Sequence, residues 1–564
     1  VSRRLAAVCC LLAVCAGVAS PALAASTPDA PTNGSTATNG SVAPNGLTTP
    51  NGSTVTNGSA PSSDPSGRIV ELYPNPVRDG DVGEFVVVET AGGENWTLSD
   101  GESTVAVPSS RRVALTSDPE AARNLTDAPV VESALLLSNG GERLVLSRDG
   151  HVVDVVGYDS APSGERWLRD ADPHWRPRGF EPRSVPETGA ADATTFVLPD
   201  APRVPLETLR DADDRLLLAG YTFTSERAAA ALRRANDRGV DVRVLVEGGP
   251  VGGVSKRQAR LLDGLAAEGI DVRVVDGERA RYSYHHAKYA VVDDSALVLT
   301  ENWKPGGTGG RDSRGWGVRV DDAETADELA AVFETDAGWR DAKRWSEYRR
   351  SATFVAPEPA SDSYASEFDP RSVRAERVRL FTAPGNAEDA VVAELAEAEE
   401  SIDVLQPSVG GPRQPFVRAT TRAAERGVRV RLLLSGAWYV EEENRVVADR
   451  LNEWADSSDA PLSVRLADPR GRYGKVHAKG VVVDGETALV GSLNWNNHSA
   501  RENREVVVAL DGEEAAGYYA EVFAADWRVS GDGESRPFPV GVGVAVVAAA
   551  ALAVVVGARE IEFE

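Results

Sequence analysis

The chain has 564 residues, enough for two to four ordinary domains. Its 86 acidic and 60 basic residues give a net charge of −26; such chains are usually poor nucleic-acid binders, but this balance also suits a surface solvated in strong salt, where the Debye length falls to about 3 Å, so it does not fix a substrate. All three cysteines, Cys9, Cys10 and Cys15, fall in one N-terminal apolar run, which excludes a disulfide framework or thiol chemistry in the rest of the chain.

That run follows Arg3 and Arg4 and precedes the small-residue stretch Ala22-Leu23-Ala24, so residues 1–25 are expected to be a signal peptide. Residues 26–67 are low-complexity Thr, Asn, Gly, Ser and Pro with "NGS" at Asn33, Asn39, Asn51 and Asn57, and are expected to form an unfolded linker open to glycosylation. From Arg68 the chain becomes short apolar alternations broken by Gly, Asn and Asp, the pattern of an all-β sandwich. The pieces "VELYPNP", "GEFVVV", "WTLSDG" and "LVLSRDGHVVDVVGY" resemble the lamin-tail domain, an immunoglobulin-like sandwich, over residues 68–160; the resemblance implies a binding or spacer role. Residues 161–200, rich in Pro, Trp and Arg, read as a connector.

A repeat follows. "RLLLAGYTF", a helix closed by Gly239 and "VDVRVLVEG" are echoed by "SIDVLQPS", a helix closed by Gly427 and "VRVRLLLSG". Each copy continues through another helix and strand. Strands alternating with helices predict an α/β fold, with half 1 over 201–350, half 2 over 371–530 and a pseudo-twofold cleft between them. The uncharged run from Pro537 to Ala558 is long enough to span a bilayer, so 537–558 is expected to be a transmembrane helix holding an exported body at the cell surface.

The chemistry sits in a phrase written twice: "HAKYAVVD" from His286 to Asp293 and "HAKGVVVD" from His477 to Asp484. Chance would supply His-x-Lys-x4-Asp only about 0.01 times in such a chain. On a strand, residues i and i+2 share a face, so His286 and Lys288 point together, as do His477 and Lys479. Two imidazoles and two ammonium groups suit a phosphodiester. The lysines neutralise its oxygens, one imidazole attacks phosphorus and the other protonates the leaving oxygen.

These segments resemble the paired HxKxxxxD motifs of the phospholipase D superfamily over about residues 201–530. In the second copy, "LVGSLNW" supplies Ser492 and Asn494 and "SARENREVVV" supplies Glu505. The resemblance implies that Ser492 and Asn494 bind phosphate and that Glu505 hydrogen-bonds the catalytic imidazole. The first copy departs. "LVLTENW" keeps Asn302 but has Thr300 for Ser, and Trp316 stands about where Glu505 stands, leaving His286 without an obvious carboxylate. The resemblance further implies that His286 forms a phosphohistidine, and that His477 protonates the leaving group and then activates water. Asp293 and Asp484 are expected to support the site by ending their strands in turns. The basic islands Arg279 with Arg281, and Arg470, Arg472 with Lys475, favour an anionic substrate.

No His/Cys/Asp cluster has metal spacing and the chemistry requires none, so no metal and no cofactor are expected. The expected substrate is a phospholipid headgroup ester. An extracellular nuclease, a phosphatidyltransferase and a non-catalytic phosphate-binding surface protein are the alternatives. Both half-sites lie in one chain, which predicts a monomer, and the acidic, exported character is that of a haloarchaeal type of protein.

Overall fold

The computed structural model describes residues 67–530, apart from 77–81, 124, 172–173, 179–183, 277–279 and 358–361. The chain divides into two units, Val1–Gly52 and Ser53–Glu564, and every described residue lies in the second. The signal-peptide segment and nearly all of the linker lie outside the described residues.

The first module is a pair of β-sheets. One sheet runs Trp175–Pro177, Glu165–Leu168, Gly67–Tyr73, Phe85–Thr90, Arg112–Thr116, Val130–Glu132; the other runs Thr104–Val107, Trp96–Ser99, Glu142–Arg148, His151–Tyr158. Alternation drives the assembly: Ile69, Leu72, Val86 and Val88 from the first sheet meet Trp96, Leu98, Leu144 and Leu146 from the second in one core. Asp149 and Gly150, both at positive φ, form the two-residue turn that closes the hairpin Glu142–Arg148 to His151–Tyr158.

The two halves of the repeat share a sheet plan. In the first, the parallel strands Arg215–Gly220, Asp241–Glu247 and Asp271–Val275 are continued antiparallel by Tyr289–Val292, Ser295–Leu299 and Ser313–Asp321. In the second, Ser401–Gln406, Arg429–Leu434 and Leu462–Leu466 are continued by Gly480–Val483, Thr487–Gly491 and Glu505–Asp511. The crossover helices start where serines cap them. Ser225 accepts from Ala228 N (3.2 Å) ahead of Glu226–Asp237, and Ser255 from Gln258 N (3.1 Å) ahead of Lys256–Ala267. Each half has its own outer core under these helices. A third core joins the inner faces of both sheets (Tyr289, Val291, Val318 with Val482, Val506, Val508) to the helices Ala323–Gly338 and Glu513–Val529. Burial of this shared core holds the halves in register.

Three expectations need correction. Residues 161–200 are not a bare connector. Glu165–Leu168 and Trp175–Pro177 complete the first module, Glu187–Thr188 pairs with the second half's Arg377–Ala383, and Ala191–Leu198 pairs with Ser313–Asp321 of the first. The surrounding prolines hid the alternation of Ala193, Thr195 and Val197, all of which point inward. Second, Arg371–Ala375, assigned to half 2, extends the first half's sheet through Ala191–Leu198. Third, the C-terminal transmembrane helix and the membrane-anchored location built on it are not supported: no helix among the described residues is long and apolar enough to cross a membrane. The long helices Glu441–Ser458 and Glu513–Val529 each carry several charged residues. Residues 537–558 themselves lie outside the described residues.

Candidate active site

The doubled motif sits at the same place in each half. The backbone N–H of His286 donates to the carbonyl of Arg504 (3.0 Å), and that of His477 donates to the carbonyl of Arg314 (3.0 Å). Each histidine is therefore docked by its main chain onto the other half's sheet. Arg314 and Arg504 are in turn fixed by twin buried networks. Arg504 Nε lies 2.9 Å from Asp336 Oδ2, and Arg314 Nε 3.1 Å from Asp526 Oδ2. Asp336 and Asp526 occupy matching places in the helices Ala323–Gly338 and Glu513–Val529. Tyr282 and Tyr473 lie under the guanidinium groups, with 4.5 and 4.7 Å from Cζ to the ring centroid. Burial pushes the Asp336 carboxyl up, but Arg504, His285 and Arg281 together hold it well below the usual range. At Asp526 burial prevails over Arg314 and Arg472, and the carboxyl is raised.

These networks absorb the basic islands. Arg281 is buried against Asp341 (3.1 Å) and Asp336, and the half-buried Arg472 pairs with Asp526 (2.6 Å) and Glu367. Lys475 approaches Asp312 at 3.5 Å and Arg470 pairs with Asp468; Arg279 lies outside the described residues. Among the described residues, Arg281 and Arg472 thus belong to the ion-pair networks, which weakens their support for an anionic substrate. His285, the neighbour of His286, likewise belongs to the network, with Nε2 3.1 Å from Asp336 Oδ2.

Each imidazole has a carboxylate at Nδ1, supplied by the opposite half. Glu505 reaches His286 Nδ1 at 2.8 and 2.9 Å. Glu301 Oε2 lies 3.2 Å from His477 Nδ1. The first contact corrects the expectation that His286 has no carboxylate partner; the second is a residue that sequence reasoning passed over. Glu301 is the middle residue of "TEN", and its signal was an acid in an otherwise apolar stretch. Burial pushes Glu505 up, but the His286 imidazole and Lys288 outweigh it and hold the carboxyl below its ordinary value; the Ser492 hydroxyl adds a hydrogen bond. Burial prevails at Glu301, which stays above its ordinary value despite Lys479, Lys304 and Lys475 nearby. The register also moves the counterpart of Glu505. Leu299 faces Gly317 as Gly491 faces Val507, so Gly315 stands where Glu505 stands and Trp316 matches Val506. Trp316 instead packs over Gly480 and stacks on Tyr519 at 4.6 Å between the halves.

Lys288 and Lys479 are buried beside their histidines. Lys288 Nζ donates to the His286 carbonyl (2.5 Å) and Lys479 Nζ to that of His477 (2.9 Å), with Lys479 Nζ also 3.1 Å from His477 Nε2. Tyr221 packs edge-on against His286 (4.9 Å) under Lys288, and its hydroxyl accepts from Val251 N (2.6 Å). Thr300 and Ser492 are fully buried, and their hydroxyls accept from Trp316 N (2.9 Å) and Val506 N (3.0 Å). Both therefore clamp neighbouring strands beside the histidines. Asn302 is fully buried, and neither its Oδ1 nor its Nδ2 has a hydrogen-bond partner among the described residues. Asn494 is 8% exposed. Asp293 and Asp484 lie away from the imidazoles. Each accepts three backbone N–H groups, from Asp213, Asp214 and Arg215 and from Glu399, Glu400 and Ser401, at 2.7–2.9 Å.

The family model described as cardiolipin synthase, phospholipase D-like domain, matches residues 206–337 and 391–527. A mitochondrial cardiolipin hydrolase of Xenopus tropicalis is 28% identical over 134 residues, 24% of this chain; the chain spans 58% of that relative's length. Among solved structures, a phosphatidylserine synthase of Haemophilus influenzae is similar at a TM-score of 0.45 and 14% identity, over 61% of this chain and 86% of that one. The phospholipase D family member Nuc from Salmonella typhimurium is similar at 0.25 and 17%, over 28% and 98%. Two stretches of the chain are thus similar to a phospholipase D-like domain, in a mixed α/β fold with a pseudo-dimeric, two-half arrangement.

Proposed function

We propose that the two-part domain is a phosphodiesterase that hydrolyses phospholipid headgroup esters through a phosphohistidine. The observation that carries the reading is reciprocal. Each motif histidine has its Nδ1 against a carboxylate from the other half and a lysine two residues on, which leaves Nε2 as the nitrogen for chemistry. His286, backed by the ionised Glu505, attacks phosphorus through the Nε2 lone pair. The N–P bond forms, the P–O bond to the leaving group breaks, and its electron pair stays on the leaving oxygen, which takes the Nε2 proton of His477. Water then attacks phosphorus and gives a proton back to His477, and the N–P bond breaks with its pair returning to His286. Lys288, Lys479, Asn302 and Asn494 supply positive charge and hydrogen bonds to the phosphoryl oxygens as charge builds in the transition state. The buried Asn302 amide, whose polar atoms have no partner among the described residues, suits that task. In this reading Thr300, Ser492, Asp293 and Asp484 hold the frame.

Two features favour a lipid. Equivalent loops of the two halves, after the strands Asp241–Glu247 and Arg429–Leu434, present Val251 and Trp438 at 47% and 70% exposure. Val251 bonds Tyr221 beside His286, and Trp438 adjoins Tyr439, which lies under Lys475. Second, among the described residues Arg281 and Arg472, which precede the motifs, are held by Asp341 and Asp526, which speaks against their serving an extended basic groove for a nucleic-acid strand. The resemblance to a cardiolipin hydrolase agrees with this choice. On its resemblance to a lamin-tail domain, the β module is assigned a binding or spacer role. The test is to incubate the purified chain, in high salt, with phospholipid vesicles and separately with plasmid DNA. Headgroup release with intact DNA is expected; nicking of DNA without headgroup release would transfer the assignment to a nuclease, and an exchanged headgroup in the presence of excess alcohol would show transfer.

A further inference from the structure

We propose that Glu301 is the positioning residue of His477, supplying from the middle of "TEN" what Glu505 supplies to His286 from the strand Glu505–Asp511. The inference rests on the phosphodiesterase reading and concerns where this chain keeps its second carboxylate. At the counterpart of Glu505 the first half has Gly315, so the support for His477 cannot come from there. The space is nevertheless filled. A Cβ added to Gly315 would lie 2.2 Å from Cγ of Glu301, 2.7 Å from its Oε1 and 2.9 Å from its Cδ. The Glu301 side chain thus occupies the volume that a side chain at 315 would take, and delivers Oε2 to 3.2 Å from His477 Nδ1. The second half is the mirror case, with a glutamate at 505 and apolar Leu493 in the place of Glu301. The carboxylate has moved between two strands that share a hydrogen-bonded ladder, while its target has stayed fixed.

A buried carboxyl is costly unless it is paired. Glu301 is wholly buried, and among the described residues its other side-chain hydrogen bond is a 3.5 Å approach from the Ser313 hydroxyl. Three lysines, Lys479, Lys304 and Lys475, moderate its charge from nearby. The two supports are therefore unlike: Glu505 is held ionised against a nucleophile, whereas Glu301 sits beside the histidine that must give a proton and take it back. The division predicts which bond each glutamate serves.

The test compares Glu301→Gln with Glu505→Gln on two soluble phosphodiesters, one releasing p-nitrophenol and one an alkyl alcohol. Glu301→Gln is expected to lower kcat on the alkyl ester by about 10²-fold, with KM and melting temperature little changed. It should cost far less in the first-turnover burst of p-nitrophenol, whose leaving oxygen needs no proton, the later hydrolysis step being common to both esters. Glu505→Gln should depress both alike. A Glu301→Ala/Gly315→Glu variant, which returns the carboxylate to the strand, should recover much of what Glu301→Ala loses. Full kcat in Glu301→Gln on the alkyl ester, a p-nitrophenol burst slowed as much as turnover of the alkyl ester, or a folded double variant with no recovery would each overturn the inference while leaving an active wild type to support the phosphodiesterase reading. A wild type inert on every phosphodiester would overturn that reading, and the inference with it.

Discussion

Nδ1 of His286 lies 2.8 Å from one oxygen of Glu505 and 2.9 Å from the other, although the residues are 219 positions apart and belong to different halves of the repeat. Neither half therefore completes the surroundings of its own motif histidine. Because His286 and Lys288 hold the Glu505 carboxyl below its ordinary value against the effect of burial, it remains an anion at neutral pH and fixes the proton of His286 on Nδ1. Glu505→Gln keeps the shape and removes the charge. The expected result is a fall in kcat of about 10²–10⁴-fold, measured on a soluble phosphodiester, with KM and melting temperature near wild type. A variant as active as wild type would remove Glu505 from the site.

Much of this was legible in the chain. The repeat, its sheets and the His-Lys pairs follow from periodicity and a phrase too rare to recur by chance. What was not legible has one physical cause: a motif reports its own half, and the support comes from the other. Glu505 could be read as a partner for an imidazole but not as the partner of His286. Glu301 stood outside the expected pattern because the exchange with Gly315 is visible only in the strand register. Arg281 and Arg472 looked like substrate contacts, since sequence does not show that Asp336 and Asp526, 190 residues apart, lie beneath them.

Asp293 and Asp484 complete the doubled phrase without touching the chemistry. Each has a positive φ (51° and 54°) and each ties its turn to the first strand of its half through three backbone N–H groups. Those donors outweigh burial and hold the Asp293 carboxyl below its ordinary value. Asp293→Ala removes three acceptor contacts and places a β-carbon residue without a local hydrogen bond in the left-handed region. It should cost about 2–3 kcal/mol in urea unfolding while leaving kcat per folded molecule unchanged. A selective loss of kcat would show that the aspartate acts on the site after all.

The ion-pair networks beneath the histidines should behave as structure. Asp336 serves Arg504, Arg281, His285 and the Tyr282 hydroxyl, so Asp336→Ala takes one carboxylate away from each of two buried guanidinium groups, of which Arg281 keeps Asp341. Removing one partner of a buried pair costs about 3–5 kcal/mol, which should appear in the denaturant midpoint. Since the folded Asp336 has a lowered pKa, its contribution is fully present above the unfolded value and is lost as pH falls through the folded one. Wild type should therefore lose stability with acid more steeply than Asp336→Ala, and parallel curves would contradict the pairing.

Glu165 gives the opposite pH dependence. It lies on the β module's strand Glu165–Leu168 and faces the second half, with Oε1 3.7 Å from Nη1 of Arg501, whose Nε is already 2.8 Å from Glu388. Burial, then the nearby Glu388 and Glu502 charges, overcome Arg501 and push its carboxyl up to about 7. A carboxyl raised on folding binds its proton more tightly in the native state, so its stabilising contribution is present below the unfolded value near 4.5 and is lost as pH rises through about 7. The full shift corresponds to about 3 kcal/mol. Glu165→Gln keeps the neutral shape at every pH. It should match wild type at pH 4.5 and exceed it at pH 8 in urea unfolding followed by tryptophan fluorescence, since Trp167 is buried two residues away. If the two proteins lose stability in parallel between those pH values, Glu165 is ionised in the folded chain and the contact with Arg501 is an ordinary ion pair.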